Sequence, residues 1–298
     1  MNWKIKAGIQ MATSYVPFGS RLNYAGQRLL MRRFSSLDRS VADRLAKARW
    51  LLGAYTRHAA VAPERAHFFE LGTGWHLGLP LALWCLGVER QVTVDVRRLA
   101  RLELINKALA VLQNLPEDLP RRPGGPIRRF EELADRYGIA YRAPCDARCT
   151  GLAADSIDCA HSTFTLQHIP VPILMSILAE SRRILKPEGV LLSIIDYGDN
   201  YAYTDRSISV YNFLRYSGSR WRWLNPPLHY QNRLRHVEYR ALFDACGLRV
   251  VEQELKCGSE RDLAAIRAMR LAPEFSRYAP EELAIRTSRL AAVKGPAE

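Results

Sequence analysis

The chain has 298 residues, 48% of them hydrophobic, which is enough for one large domain or two small ones with a sizeable core. No apolar run reaches the roughly 18 residues that a membrane-spanning helix needs, and polar residues and Pro17 interrupt the N-terminal stretch, unlike a signal peptide. We therefore expect a cytoplasmic protein without a transmembrane segment.

The charge of the chain is strongly basic and unevenly distributed. The formal net charge is +13, and residues 1–60 hold eleven Lys or Arg against two Asp, a balance of 11 − 2 = +9. Such a bias favours contact with nucleic acid, an anionic membrane face or a phosphate-bearing substrate. A solvated helical surface explains the same bias equally well.

The six cysteines indicate reduced, buried thiols rather than a disulfide framework, because most lie inside apolar segments of a long chain. The spacing of Cys145, Cys149, Cys159 and His161 matches no standard zinc pattern. We expect no metal site.

Residues 1–60 precede the first predicted strand and form a basic helical extension. One or two short helices, interrupted around Pro17, precede a longer helix with Ser36 or Asp38 as its N-cap. Apolar residues then recur at helical spacing at Leu37, Val41, Leu45, Ala48, Leu52 and Tyr55. We predict that this extension covers the site as a lid or mediates a homodimer, and that residues 61–298 form the main domain.

The main domain begins with a strand, a glycine turn and a helix. Residues 66–71 are apolar up to Glu70, the turn contains Gly72 and Gly74, and a helix follows over 79–86. Glycines permit a positive φ and close backbone approach to a ligand. A strand that leads through such a turn to a helix N-terminus is typical of nucleotide-cofactor sites.

Strands and helices alternate through the rest of the domain, which predicts an α/β, doubly wound, mostly parallel sheet. Asp95 ends the second strand about 25 residues after Glu70, close to the spacing of a ribose-binding carboxylate in dinucleotide folds. The predicted strands are 66–71, 90–96, 139–144, 156–164, 190–196, 248–254 and 282–294. The predicted helices are 98–113, 127–137, 172–185, 237–246 and 259–271, with a turn at 186–189.

These elements resemble class I, seven-stranded S-adenosylmethionine-dependent methyltransferases of Rossmann-like fold. The motifs that carry the resemblance are E-x-G-x-G at 70–74, the strand DSIDCAHSTFTLQHI and the segment LAESRRILKPEGVLL. More narrowly, ELGTGWHLGLP, YNFLRY and QNRLR resemble uncharacterised bacterial members linked to surface-polysaccharide or natural-product pathways. The resemblance implies S-adenosyl-L-methionine as cofactor and S-adenosyl-L-homocysteine as product.

The resemblance also implies which residues bind the cofactor. Gly72 and Gly74, with Glu70 before them, would lie near its amino-acid part, and Asp95 would bind the ribose hydroxyls. Further cofactor positions lie after the third and fourth strands: Asp146, Ala147, His161, Ser162 and Thr163. His76 stands where the family usually has a third glycine, so we expect it to cap the turn, to face the substrate, or to be solvated in a wider turn.

Methyl transfer to oxygen or nitrogen needs in-line placement and a base. We expect the base after the fourth or fifth strand. His168 follows the fourth strand and titrates near neutral pH. Asp199 and Tyr201, after the fifth strand, are the other candidates.

Residues 197–236 form a predicted substrate-side insert rich in aromatic residues and arginine. Such residues form stacking and phosphate-binding surfaces, but they can equally be the core of a helical cap. The candidates for substrate binding are His76, Tyr211, Asn212, Arg215, Tyr230, Asn232 and Arg233.

Three functions remain open on the sequence. The first is a biosynthetic methyltransferase that acts on oxygen or nitrogen of a small molecule, glycan or natural-product intermediate with an anionic group. The second is an RNA methyltransferase, which the charge favours. The third is a non-catalytic scaffold with this fold, suggested by His76.

Overall fold

Seven strands form one sheet in the computed structural model, which describes residues 2–16, 37–115 and 118–295, without the side chains of 37–39. The strands are β1 His67–Leu71, β2 Arg90–Val94, β3 Ile139–Arg142, β4 Ile157–Thr163, β5 Leu185–Asp196, β6 Leu248–Cys257 and β7 Ile285–Lys294. The helices are α1 Trp3–Ser14, α2 Leu37–His58, α3 Gly78–Cys85, α4 Leu102–Asn114, α5 Glu132–Tyr137, α6 Val171–Ile184, α7 Gly218–Leu224, α8 His236–Ala245, α9 Glu260–Arg267 and α10 Pro280–Leu283.

The strand order is β3-β2-β1-β4-β5-β7-β6, and only β7 runs antiparallel to its neighbours within the described part of the chain. This confirms the predicted mostly parallel, seven-stranded fold. The chain order reverses between β1 and β4, where Glu70 is paired with His161 and Leu71 with Ser162. Ligands bind outside the carboxyl ends of strands at such a switch point, and the glycine turn lies there.

Helices cover both faces of the sheet. On one face, α2, α3 and α4 contribute to a cluster that includes Leu45, Leu83 and Ile105. On the other, α6 and α8 pack against the sheet through residues such as Leu178 and Phe243. The inner strands are therefore buried on both sides, as parallel strands require.

The helical extension is part of this architecture. The predicted apolar face of α2 is confirmed, because Val41, Leu45, Ala48 and Tyr55 are buried against α3, α4 and the sheet. The division at residue 60 and the role as a lid or dimer contact stay predictions. Some predictions concern residues or side chains outside the described part of the chain. These are the interruption at Pro17, the N-cap at Ser36 or Asp38, the apolar side chain of Leu37, and the basic residues Arg21, Arg28, Arg32, Arg33 and Arg39.

A third cluster joins α1 to the insert and to the α9–α10 region. Trp3, Tyr201 and Trp221 are among its buried members. The amide of Trp3 donates to Asp205 Oδ2 at 2.8 Å, and Lys6 Nζ donates to Thr204 Oγ1 at 3.1 Å. The insert and α1 thus form one cap, although they are distant in sequence.

Several predicted elements differ from the structure. The strand predicted at 282–294 begins only at Ile285, after helix α10, and the helix predicted at 259–271 ends at Arg267. The turn at 186–189 lies inside β5, where Ile157 is paired with Leu185 but Cys159 with Val190, so three extra residues of β5 form a bulge. Pro187 lacks the amide that a regular ladder needs. The helix predicted at 127–137 spans only Glu132–Tyr137, because the Asn106 side chain bonds both the amide and the carbonyl of Ile127 at 2.9 Å.

None of the helices in residues 2–16, 37–115 and 118–295 has both the length and the apolarity that a membrane crossing requires.

Candidate functional site

The glycine turn places backbone close to the end of β4. Gly72 and Gly74 have φ of 80° and 76°, values that favour glycine. A Cβ on Gly72 would lie 2.3 Å from Thr165 Oγ1, so Gly72 also permits a close approach. Around the Cβ position of Gly74 there is open space within 4 Å. The turn is therefore closed on the β4 side and open above Gly74.

Asp95 at the end of β2 lies against this open part of the turn. Its Oδ2 accepts from the Gly74 amide at 3.3 Å, and its Oδ1 accepts from the Arg97 amide at 3.2 Å. Burial raises the pKa of Asp95 above its usual value. The structure thus brings together two residues that the sequence separates by 21 positions.

Glu70 lies near the end of β1, two residues before Gly72. Its Oε2 accepts from Thr93 Oγ1 on β2 at 2.8 Å, and the side chain is buried. Burial raises the pKa of Glu70 to about 7. This hydrogen bond joins the end of β1 to β2 directly before the turn.

His76 caps helix α3. Its Nδ1 accepts from the Gly78 amide at 3.0 Å, which requires the proton on Nε2 of the neutral ring. Burial, followed by the charge of Arg44, lowers the pKa of His76 to about 4. The turn is therefore built with a histidine cap at the position of the family's usual third glycine.

Asp146 and Ala147 lie on the loop after β3, beside Asp95. The Cys145 amide donates to the Asp95 carbonyl at 2.9 Å, which joins this loop to the end of β2. Asp146 is largely exposed and forms a bidentate pair with Arg148, with a shortest distance of 2.6 Å from Arg148 Nη2 to Asp146 Oδ2. Ala147 is buried.

The end of β4 contains buried polar side chains. Within the described part of the chain, Ser162 Oγ, Thr163 Oγ1 and His161 Nδ1 have no hydrogen-bond partner. Burial lowers the pKa of His161 to about 3, so its ring is neutral. Ser162 lines a small cavity of about 10 Å³ between the sheet and α6, together with Ser193.

A family model described as a methyltransferase domain matches residues 127–193, which span the segment from α5 through β4 to β5. The seven-stranded sheet and the contact between Asp95 and Gly74 are two further features that agree with the sequence resemblance. Residues 127–193 of the chain are therefore similar to a methyltransferase domain, and they lie within a seven-stranded, mostly parallel α/β fold. No curated protein sequence matches it.

Solved structures of methyltransferases have similar folds. A chain in the complex of the Haloferax volcanii Trm112 methyltransferase activator with a putative methyltransferase is 18% identical, with 88% of this chain and 94% of that chain covered and a TM-score of 0.47. The Burkholderia thailandensis 1,6-didemethyltoxoflavin-N1-methyltransferase is 12% identical, with 85% and 78% covered and a TM-score of 0.46. The Streptomyces coelicolor geranyl diphosphate C-methyltransferase is 14% identical, with 84% and 78% covered and a TM-score of 0.47.

The residues at the switch point fit S-adenosylmethionine, the cofactor that the sequence resemblance implies. The space above Gly74 is open and bordered by the carboxylate of Asp95, which can accept from a pair of hydroxyls. The unpartnered Thr163 Oγ1 lies at the end of β4. The carboxylate of Asp95 and the hydroxyl of Thr163 are therefore available to form hydrogen bonds with a polar nucleoside ligand.

A pocket of about 420 Å³ opens at the carboxyl ends of β4 and β5. Asp196 on β5 and Lys256 on β6 are both paired with Thr287 on β7, so the register brings three strands to this point. The antiparallel β7 begins where its neighbours end, which explains why Arg286 also lies here. The lining residues are Phe164, Gln167, His168, Asp196, Asn200, Tyr203, Lys256, Arg286 and Thr287.

His168 is the predicted catalytic residue that lines this pocket. Its Nδ1 lies 2.8 Å from the carbonyl oxygen of Tyr230. A carbonyl only accepts, so Nδ1 carries the proton and Nε2 of the neutral ring is basic. Burial lowers the pKa of His168, and the charge of Asp196 opposes that shift.

The other two catalytic candidates lie inside the cap. Asp199 is fully buried and accepts from the Tyr201 amide at 2.8 Å and from Asn212 Nδ2 at 2.9 Å. Burial raises the pKa of Asp199 to about 6. The hydroxyl of Tyr201 donates to the Leu224 carbonyl at 2.8 Å. Neither residue lines the 420 Å³ pocket.

Most predicted substrate-binding residues bond to the protein itself. Tyr211 donates to the Ala284 carbonyl at 3.1 Å. Asn232 donates to the carbonyls of Leu166 and Ile169 at 3.0 Å, and so attaches the His168 turn to the insert. Asn212 donates to Asp199, and Arg233 donates to the carbonyls of Phe213 and Tyr216. Tyr230 accepts from His168 through its backbone carbonyl. Arg215 is exposed.

The pocket contains residues that the sequence did not single out. Asp196 accepts from the Tyr203 hydroxyl at 2.5 Å, and burial with the Asp196 charge raises the pKa of Tyr203. Lys256 and Arg286 supply two cations from β6 and β7. A polar residue at the end of β5 was a usable signal for Asp196. Nothing in the local sequence marks Lys256 or Arg286, because only the β6–β7–β5 register brings them to the pocket.

Proposed function

We propose that this chain is a class I S-adenosylmethionine-dependent methyltransferase. We propose further that it modifies an oxygen or nitrogen atom of a small molecule or of a glycan or natural-product intermediate that carries an anionic group. The observation that carries the proposal is the pocket of about 420 Å³, which combines a neutral imidazole with two cations. Its volume is within the usual range of small-molecule sites, roughly 300–1,000 Å³.

His168 is the proposed general base. The Tyr230 carbonyl fixes the tautomer, and burial keeps the ring neutral near pH 7, so Nε2 can accept a proton from the acceptor group. S-adenosylmethionine, when bound, supplies a methyl group on a sulfonium. The proton that His168 holds after transfer returns to solvent at the pocket mouth.

Lys256 and Arg286 are the proposed anion-binding residues. Both line the pocket, and Arg286 presents a planar fork that matches carboxylate or phosphate. Asp196, which accepts from the Tyr203 hydroxyl, lines the same pocket and would give the acceptor a polar contact. A charged substrate would thus be oriented by its anionic end while its nucleophile faces His168.

The structure of the insert supports a small acceptor over RNA. RNA recognition uses unstacked bases on exposed aromatic rings. Most aromatic residues of the insert are buried, among them Tyr201, Tyr211, Phe213 and Trp221 in the cap, and Tyr203 and Trp223 are its strongly exposed rings. The basic net charge still favours RNA as the second candidate, and the test below includes it.

A methyl-transfer assay tests the proposal. Labelled S-adenosylmethionine is incubated with anionic glycans, nucleotide sugars and carboxylated metabolites, and in parallel with total RNA. We expect labelling of a small anionic acceptor that falls in Arg286→Gln. Labelling of RNA alone, with steep loss as salt rises, would replace the proposal with the RNA function. Tight cofactor binding without turnover on any acceptor would favour the scaffold.

A further inference from the structure

Helix α1 has a second apolar face that nothing in the described part of the chain covers. Its inner face, with Trp3 and Ala7, is buried in the cap. The stripe on its outer face consists of exposed side chains at the i, i+3, i+4, i+7 spacing of a contact face, namely Ile5, Gly8, Ile9 and Ala12. Ile5 is 59% exposed and Ile9 is 53% exposed.

Helix α7 presents a similar outer face beside α1. Trp221 is buried, whereas Trp223 is 80% exposed on the opposite side of the helix. The rings of Trp3 and Trp221 both contact Tyr216, at centroid distances of 5.6 and 6.4 Å. The two helices therefore pack on one cluster, and each turns an apolar side chain away from it.

The charges on these faces are all positive. Lys4, Arg220 and Arg222 are exposed, and α1 and α7 contain no acidic residue. None of the three cations forms an ion pair with a described residue. Exposed aliphatic side chains, an exposed tryptophan and cations without an ion pair to a described residue thus occur on the outer sides of two adjacent cap helices.

We propose that this outer surface of the cap, defined by Lys4, Ile5, Ile9, Arg220, Arg222 and Trp223, docks on an anionic lipid membrane. A helix that lies in the membrane interface inserts its apolar face and keeps its cations near the headgroups. Tryptophan is enriched at that depth, and each Lys or Arg near an anionic leaflet strengthens the attraction. The composition of the cap surface matches all three requirements.

Other occupants match this surface less well. A second copy in a two-fold dimer would place the patch on itself and bring like charges together. RNA would match the cations but would leave Ile5 and Ile9 without an apolar partner. An anionic bilayer matches both the charge and the apolar side chains.

A short turn links the inner face of α1 to the pocket. The turn at Asn200–Tyr203 has Tyr201 packed against Trp3 at 5.4 Å, while Tyr203 lines the pocket. One short turn therefore joins the underside of α1 to the pocket wall. The docking proposal does not depend on which acceptor the methyltransferase uses.

Vesicle flotation with the full chain tests the proposal. The probes are phosphatidylcholine vesicles with and without about a third phosphatidylglycerol. We expect binding to the anionic vesicles only, weakened at least ten-fold in Ile5→Gln/Ile9→Gln/Trp223→Gln and about five-fold per removed cation in Arg220→Gln and Arg222→Gln. The matched control, Ile173→Gln/Met175→Gln, removes exposed apolar side chains from α6 and should bind like the parent chain.

Quenching by brominated lipids gives a readout that a folding defect does not mimic. The parent chain should be quenched on anionic vesicles, and Trp223→Phe should lose most of this quenching while still floating with them. Absence of binding to anionic vesicles would overturn the proposal. Binding by the cap variants as strong as that of the parent chain would also overturn it. So would a dimer of the parent chain that the same substitutions dissociate.

Discussion

The ring of His168 is held by the backbone of Tyr230, 62 residues further along the chain, through a 2.8 Å bond from Nδ1 to the carbonyl oxygen. This contact fixes the tautomer and joins the end of β4 to the insert. We expect His168→Gln to lower kcat about 100-fold or more, because a positioned base contributes roughly 10²–10⁴. Steady-state kinetics with saturating cofactor measures the effect.

The control is His229→Gln, whose ring is 6.2 Å from that of His168. Its kcat should stay within a few-fold of the parent value. Because burial lowers the pKa of His168 from 6.5, the neutral base persists below that pH, and activity should fall only in more acidic solution. If activity still fell in acidic solution in the His168→Gln variant, the titration of another group would be responsible for that fall.

Asp95→Ala should weaken S-adenosylmethionine binding by roughly 10- to 100-fold, because a hydrogen bond to a charged group contributes about 1.5–3 kcal/mol. Calorimetric titration measures the change. Asp146→Ala is the matched comparison and should cost less, since that carboxylate is largely exposed and paired with Arg148. Equal losses in the two variants would argue against a special role of the Asp95–Gly74 contact.

Arg286→Gln and Lys256→Gln should raise KM for an anionic acceptor about ten-fold each and leave kcat nearly unchanged. The physical reason is that binding lost equally from ground state and transition state appears in KM. Arg267→Gln, which removes an exposed cation paired with Glu281, should leave KM unaltered. A fall in kcat at constant KM would contradict the anchoring role.

Glu70→Gln should change how stability depends on pH. Burial raises the pKa of Glu70 from 4.5 to about 7, so the folded state holds this proton more tightly than the unfolded state. The contribution is present below pH 4.5 and is lost as pH rises through 7, by up to about 3 kcal/mol. Denaturant unfolding at pH 5 and pH 8 should show this loss in the parent chain and a smaller one in the variant. If the parent chain and the variant lost the same free energy of unfolding between pH 5 and pH 8, this prediction for Glu70 would be wrong.

Asp199→Ala should lower the free energy of unfolding by about 2–3 kcal/mol, because buried donors of Tyr201 and Asn212 lose their acceptor. Thermal or denaturant unfolding tests this. A double-mutant cycle with Asn212→Ala should be non-additive, since the two side chains are bonded. If kcat fell while stability stayed unchanged, Asp199 would instead be the base that the sequence suggested.

The sequence by itself determined the alternating strands and helices, the glycine turn and the acid at the end of β2. These features depend on local periodicity and on the rule that parallel strands end at one edge, so Gly74 and Asp95 could be matched before any coordinate was known. The apolar face of α2 followed from the same periodicity.

Only the tertiary structure decided which polar residues face the pocket. Tyr211, Asn212, Asn232 and Arg233 looked like ligands in the sequence, yet their hydrogen bonds are made within the cap. Asp196, Lys256 and Arg286 come from three strands whose order is set by long-range pairing with an antiparallel β7. Side-chain type is a local property, but the direction in which a buried polar group bonds depends on packing of distant segments, which no local pattern contains.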